Sequence, residues 1–418
     1  MLDFWICKLR SANNYIVTFF RWIFIAGITG LAGGLIGTLF HKGVDYATVF
    51  RTQNDWVIAL LPVGGLAIIA LYRLCRLSEN SGTNHIFEAI RTKTKIPFLM
   101  GPLIMVSTVV THLFGGSAGR EGAALQLGGS IGYNIGQFFH LDEKDMHMVV
   151  QCGMSGVFAA LFGTPLTAAV FAIEVVSVGI FYYSSIIPCL VSSLIAYGIS
   201  LWFGIDPVHF TLAAVPSVSI LSIIQTMSLA ALCAVLSILF CALMHQTHRI
   251  FSLIDNEYLR VVLGGVAIVA LTLFLNTKDY NGTGVPVIAD AVAGKALPYA
   301  FVLKMLFTAI TIGCGFKGGE IVPTLFIGAT FGCTVGSLLG FDPGFGAALG
   351  TVALFCGVVN CPLASLILSI EMFGSSGMLL FAVACGVSYM LSGYYGLYGS
   401  QKIMYSKLKA EFININAK

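Results

Sequence analysis

The sequence predicts an all-α polytopic membrane protein, built as two related halves whose helices are broken by glycine and proline. Three observations predict it. Of 418 residues, 57% are hydrophobic and 10% charged, where soluble domains carry about 25% charged residues; mean hydropathy is +0.90. The apolar residues fall into many runs near the length of a bilayer span, with no polar segment between them long enough to fold alone. Two residue patterns also recur, in the same order, about half a chain apart.

Apolar runs occupy 22–40, 57–72, 98–114, 123–139, 148–204, 215–244, 261–275, 299–315, 321–340 and 345–395. At roughly 20 residues per span, that makes about 10–14 crossings or partial crossings. The first two runs read as a helical hairpin with a polar external turn. Ser78 to Asn84 lacks large apolar residues and reads as loop, and His85 to Arg91 as a short helix. His140 to His147 is a polar turn. A Gly-Thr-Pro-Leu break at 163–166 interrupts the next run, which carries an acid, Glu174. Residues 245–258 read as an interfacial loop. His245 and His248 there lie too far from Asp255 and Glu257 to suggest a metal site. Residues 276–300, rich in Gly, read as a re-entrant or external connector.

Charge distribution orients the chain. Lys8 and Arg10 precede the first span, and Arg73, Arg76, Arg91, Lys93 and Lys95 follow the second. Lys402, Lys407, Lys409 and Lys418 lie in the C-terminal tail. The positive-inside rule then puts both termini and the 73–97 loop in the cytoplasm of a multi-pass protein of the inner (plasma) membrane. The run from Trp22 is long and lacks a cleavage site, so no cleaved signal peptide is expected. About 20 residues beyond Tyr398 are too few for a cytosolic regulatory domain. The net charge of +3 says little about partners; lipid is one, and nucleic acid is not expected. Eleven scattered cysteines read as small buried residues rather than a disulfide or metal framework. No cofactor is called for.

The stretch GGSAGREGAALQLGGSIGYNIG, Gly115 to Gly136, organises the chain. It sets Arg120 and Glu121 among Gly, Ala and Leu. A lone carboxylate at membrane depth costs about 2.5–3.5 kcal/mol, so it is kept where it faces a cavity or a partner. Gly119, Gly128, Gly132 and Gly136 recur as Gly319, Gly328, Gly332 and Gly336, 200 positions on. Glu121 in GREG is answered by Glu320 in GGEIVP. Pro165-Leu166 with Ile173-Glu174 recurs as Pro362-Leu363 with Ile370-Glu371, 197 positions on. The first repeat is set at 20–205 and the second at 206–400. Duplicated halves mark transporter folds, and an odd number of spans per half would invert the second. Both Gly-rich breaks then precede an uncharged helix, whose unpaired N–H groups and positive dipole end suit an anion without any fixed cation.

These residues resemble a known family. GSAGREGA at 116–123 resembles the GREGP motif of the CLC chloride channels and proton-coupled transporters. GGEIVP at 318–323 stands where that family has GxFxP, and GTN at 82–84 near its central-serine loop. TPLTAAVFAIE and NCPLASLILSIE resemble its Pro-Leu helices. The departures are Thr83 for the serine (Ser81 being the alternative), Ala123 for the GREGP proline and Ile321 for the Phe of GxFxP. GGE-x-x-P resembles the fluoride/proton antiporter branch.

The resemblance implies an inverted repeat of broken and re-entrant helices, one pore per protomer, and a homodimer. It implies transport of fluoride or chloride with protons as second substrate: fluoride/proton antiport first, and a chloride channel or chloride/proton exchanger as the alternative. Glu121 would be the gating and proton-coupling glutamate, competing as a carboxylate with the anion and swinging away when protonated. The bland alternative is an ion pair with Arg120, though adjacent helical residues point apart. The anion site would draw on Gly82, Thr83, Asn84, Gly119, Arg120, Gly122, Gly319, Glu320, Ile321, Val322 and Tyr398, with Tyr405 the alternative tyrosine. The internal proton glutamate of the chloride/proton exchangers falls at Val175. The proton path would therefore run through Glu121, Glu320 and Glu174, unless Glu174, like its repeat partner Glu371, is a buried structural acid. No Ser/His dyad, paired Asp or metal cluster at depth suggests an enzyme. His112, nine residues before Glu121, reads as packed or interfacial. Few acids at depth argue against a cation or amino-acid transporter.

Overall fold

The computed structural model describes residues 2–77, 82–92 and 94–418. Among these, seven helices are long and apolar enough to cross a membrane, and six further apolar helices of 10–17 residues are too short to do so alone. Ser81 lies outside the described residues, as do Ser78 to Asn80 and Lys93.

The first eight helices are α1 (Leu2–Gln53), α2 (Leu61–Leu74), α3 (Thr83–Arg91), α4 (Met100–Leu113), α5 (Glu121–Phe138), α6 (Glu143–Phe162), α7 (Pro165–Glu174) and α8 (Ile186–Trp202). Eight more follow in the same order: α9 (Ile220–Ser252), α10 (Glu257–Leu275), α11 (Val285–Val292), α12 (Ala300–Gly313), α13 (Ile321–Leu338), α14 (Pro343–Val359), α15 (Pro362–Phe373) and α16 (Met378–Leu391). Each long opening helix is followed by a shorter one, a helix of little over two turns, and then a set of broken spans.

The repeated glycines have a packing reason. A Cβ on Gly128 would lie 2.3 Å from the Gly153 carbonyl oxygen of α6, and one on Gly132 2.3 Å from that of Val149. The second half does the same: Gly328 would meet the Gly350 oxygen at 2.5 Å and Gly332 that of Gly346 at 2.2 Å. With no Cβ in the way, α5 crosses α6, and α13 crosses α14, at backbone contact. Small-residue crossings of this kind hold helices together where lipid offers no hydrophobic driving force.

Several expectations are corrected. The first hairpin has no turn at 41–53: α1 runs through to Gln53, and a 3-10 turn, Asp55–Leu60, then leads into α2. The polar residues here are helical because His41, Asp45 and Arg51 find partners inside the protein. The supposed loop at 245–258 is helical to Ser252 for the same reason, its His245 and His248 facing a cavity. The connector at 276–300 contains α11.

The tail adds a small sheet to the helical body. Strand β1 (Ser177–Val178) pairs in parallel with β2 (Lys402–Tyr405), which pairs antiparallel with β3 (Phe412–Asn416). Gln401 Nε2 donates to the carbonyls of Val175 and Val359, both at 2.8 Å. Buried Lys407 donates to Ser392 Oγ at 3.0 Å and to Asn360 Oδ1; burial pushes its ammonium down to about 8. The turn before β2 is thereby fixed against the ends of α7 and α14. Nine of the ten cysteines from Cys75 onward are buried, as small apolar residues are.

Candidate functional site

The two Gly-rich breaks meet. Gly119 N donates to Gly319 O at 2.6 Å and Gly319 N to Gly119 O at 2.7 Å, an isolated antiparallel bridge between the halves. Residue i bonding j while j bonds i is the mark of a two-fold relation. The approach demands glycine: a Cβ on Gly319 would lie 2.4 Å from Gly122 N, and one on Gly119 2.6 Å from Glu121 Oε2. Helices α5 and α13 start just beyond the bridge, so their first-turn N–H groups converge on one spot.

Glu121 fills that spot. Its side chain is 1% exposed. Oε2 accepts the Arg120 amide at 3.0 Å, and the carboxylate is also faced by its own amide and by that of Val322 in α13. Glu320, the residue before α13, is half-buried beside the same backbone, its carboxylate oxygen 3.1 Å from where a Cβ on Gly122 would stand. Ile321 and Val322 contribute through the backbone of the first turn of α13, both buried.

Arg120 joins the site through its amide more than its guanidinium. Nη1 turns to Asp45 Oδ1 on α1 at 3.1 Å, and Nε reaches Glu121 Oε1 at 3.7 Å. An Arg120–Glu121 contact therefore exists, but it is the longer of two, because Arg120 lies outside the helix as its N-cap and can bend back.

A cavity of ≈ 610 Å³ opens on the other side. Its lining brings together Gly82, Thr83, Asn84, Glu320 and Tyr398. Tyr398, not Tyr405, is the tyrosine here: Tyr405 is 45% exposed in β2. The Tyr398 hydroxyl is buried and has no partner among the described residues, and its ring meets Phe87 edge-on at 5.2 Å. Thr83 Oγ1 lies 3.4 Å from Gly122 O and accepts Gln126 Nε2 at 3.0 Å. Asn84 is partly committed elsewhere, its Oδ1 accepting Ser400 N at 3.1 Å and Ser400 Oγ at 2.9 Å.

Glu174 is bonded across the repeat. Its oxygens accept Leu363 N at 3.2 Å and Ala364 N at 2.9 Å, capping α15. Glu371 returns the favour, accepting Leu166 N at 2.9 Å and Thr167 N at 2.8 Å at the start of α7. His112 is fully buried in α4, as expected of a packed residue, with Nδ1 on Thr108 O at 2.8 Å.

Sequence reasoning missed four contributors. Gln126, in the cavity wall, has an Oε1 with no partner among the described residues; a polar amide one turn past Gly122, flanked by leucines, was the available signal. Arg249 and Lys317 line the cavity mouth. Asp45 was visible only as a charge following a span.

Comparison with known proteins agrees with this geometry. The family model described as voltage gated chloride channel matches residues 63–393. A protein of Pseudomonas syringae pv. tomato called chloride/fluoride channel protein is 35% identical over 93% of this chain and 87% of its own. An H+/Cl− exchange transporter of Vibrio campbellii is 27% identical over 87% of this chain and 84% of its own. Among solved structures, a CLC-type fluoride/proton antiporter matches with a TM-score of 0.88 at 29% identity, covering 92% of this chain and 98% of that one. A slow cyanobacterial Cl−/H+ antiporter shares the fold, with a TM-score of 0.77 at 22% identity, covering 89% of this chain and 94% of that one.

Proposed function

The chain belongs to the voltage gated chloride channel (CLC) family, and from that membership we propose that it exports fluoride in exchange for protons. The observation that carries this reading is the Glu121 carboxylate seated on the amides of Arg120 and Val322, at the meeting of two helix N-termini.

The chemistry follows from that seat. Convergent N–H groups and two positive dipole ends favour one negative group. A carboxylate there and an anion there exclude each other by charge and by volume. When Glu121 takes up a proton it loses the charge that the amides hold. The anion then occupies the vacated N–H groups, and loss of the proton reverses the exchange. One proton bound and one anion admitted keep the local charge balanced. Gly82, Thr83, Asn84, Gly119, Gly122, Gly319, Ile321, Val322 and Tyr398 form the path of the anion. Glu320, half-buried at the cavity wall beside the seat of Glu121, passes the proton onward in place of the acid missing at Val175. Glu174 is left to its capping role.

In this reading the cavity faces the cytoplasm together with both termini, as the cationic 73–97 loop requires. The Asp45 side faces outward from the plasma (inner) membrane. Two protomers form a homodimer, each protomer an inverted repeat of 20–205 and 206–400 with its own pathway.

The test is anion efflux from proteoliposomes loaded in turn with fluoride and chloride, with pH followed at the same time. The expected result is fluoride efflux with proton uptake, abolished or uncoupled in Glu121→Gln and uncoupled in Glu320→Gln. Chloride efflux as fast as fluoride would replace the reading with a chloride pathway.

A further inference from the structure

The role given to Glu121 leaves Arg120 unexplained. Its guanidinium is 11% exposed and lies beside a buried acid, yet its shorter bond goes to Asp45, whose side chain is 56% exposed. Asp45 in turn holds His41, one turn earlier on α1, with Nε2 2.9 Å from Oδ2. The other ring nitrogen of His41, Nδ1, stands 3.2 Å from Leu161 O. A carboxylate and a carbonyl are both acceptors. A neutral ring can donate to only one of them, while a ring with a proton on each nitrogen donates to both. A chain of charge therefore runs from solvent inward, through the pair His41–Asp45, then Arg120, to Glu121 at 1% exposure.

Of the other charged groups around the seat, the buried cations Arg51 and Lys304 are engaged with carbonyl oxygens, Lys278 pairs with Asp55, and Glu320 stands half-buried on the cavity side. Arg51 donates to His112 O at 2.6 Å, and Lys304 to Tyr280 O at 3.1 Å and Gly282 O at 2.7 Å. Asp45 is faced by His41 and Arg120. The balance between the two acids is thus held by one guanidinium.

Resting on the fluoride/proton reading, we propose that Asp45 and His41 are positioning residues for Glu121: by dividing Arg120 between two carboxylates they set the pH, on the Asp45 side, at which Glu121 vacates the anion seat. The two residues act with opposite sign. An opposite charge close by favours the ionised carboxylate. Without the charge of Asp45, Arg120 turns wholly to Glu121 and holds it ionised. Without His41, Asp45 keeps its full charge for Arg120 and draws it away, so Glu121 binds its proton more readily.

The test is fluoride/proton exchange in oriented proteoliposomes, with pH varied on one side at a time. Asp45→Asn should move the midpoint toward acid by about one unit, a tenfold loss of proton affinity. His41→Gln should move it toward alkali by about half a unit, and Asp45→Glu should restore it. Each shift belongs to the Asp45 side alone. Lower rates at every pH with an unmoved midpoint, or shifts of the same sign, would overturn the proposal by leaving the pair a purely structural role. Wild-type protein that moves no fluoride against protons would overturn the functional reading first, and this proposal with it.

Discussion

The Tyr398 hydroxyl poses the sharpest question at the scale of single residues. It is buried, has no partner among the described residues, and lies within electrostatic reach of Glu320 and Glu121. Leaving a buried polar group unsatisfied costs about 1–3 kcal/mol, a cost that persists where a ligand meets the donor. A phenol suits such a position because it offers one O–H without a fixed charge that would hold the anion too tightly. Tyr398→Phe keeps the edge-on contact with Phe87 and removes only that donor. Its thermal stability should equal that of wild type or exceed it by about 1 kcal/mol. The fluoride concentration for half-maximal efflux should rise about 2- to 10-fold, the worth of one neutral hydrogen bond. A lowered melting temperature with unchanged fluoride dependence would make Tyr398 a packing residue instead.

At the scale of elements, the two Pro-Leu helices explain each other. Proline at the first position of α7 and of α15 has no N–H, so the next two amides are the exposed donors. Glu371 takes both donors of α7, and Glu174 both donors of α15. Each acid lies near the C-terminal end of the helix whose partner it caps, which locks the halves together reciprocally. Glu174→Ala and Glu371→Ala should each lower stability by about 1–2 kcal/mol in thermal melts, and neither should change the number of protons moved per anion. A change in that number for Glu174 would return it to the proton path. The Pro-Leu and Ile-Glu repeat was legible in the chain, as were the glycines of the helix crossings. Their purpose was not, since the acid of one half serves the helix of the other, and spacing along a chain carries no distance across it. The continuations of α1 and α9 were illegible for a related reason: polar helical residues facing a cavity or a buried partner look the same as loop residues. Tyr398 could be told from Tyr405 only once β2 had paired with β1, over two hundred residues earlier.

On the scale of the whole molecule, charge is arranged without much of it. A net charge of +3 hides cations at both approaches to the seat of Glu121: Arg51, Arg120 and Lys304 on one side, Arg249 and Lys317 on the other. Inside the site, dipole ends and amides replace full charges, which lets an anion bind and still leave. The cations outside it act on concentration: a cleft of one sign between low-dielectric walls gathers the opposite ion and raises its rate of entry. Arg249, exposed at the cavity mouth, isolates this effect because it stands outside the anion seat. Arg249→Gln should lower fluoride flux from the cavity side several-fold at sub-saturating fluoride near 10 mM ionic strength, where the screening length is about 30 Å. Near 1 M of a salt with a large impermeant anion, screening shortens to about 3 Å, and mutant and wild type should converge. Initial efflux rates at the two ionic strengths decide it. A deficit of equal size at both would mean that Arg249 binds the anion directly, and the field at the mouth would then contribute nothing to entry.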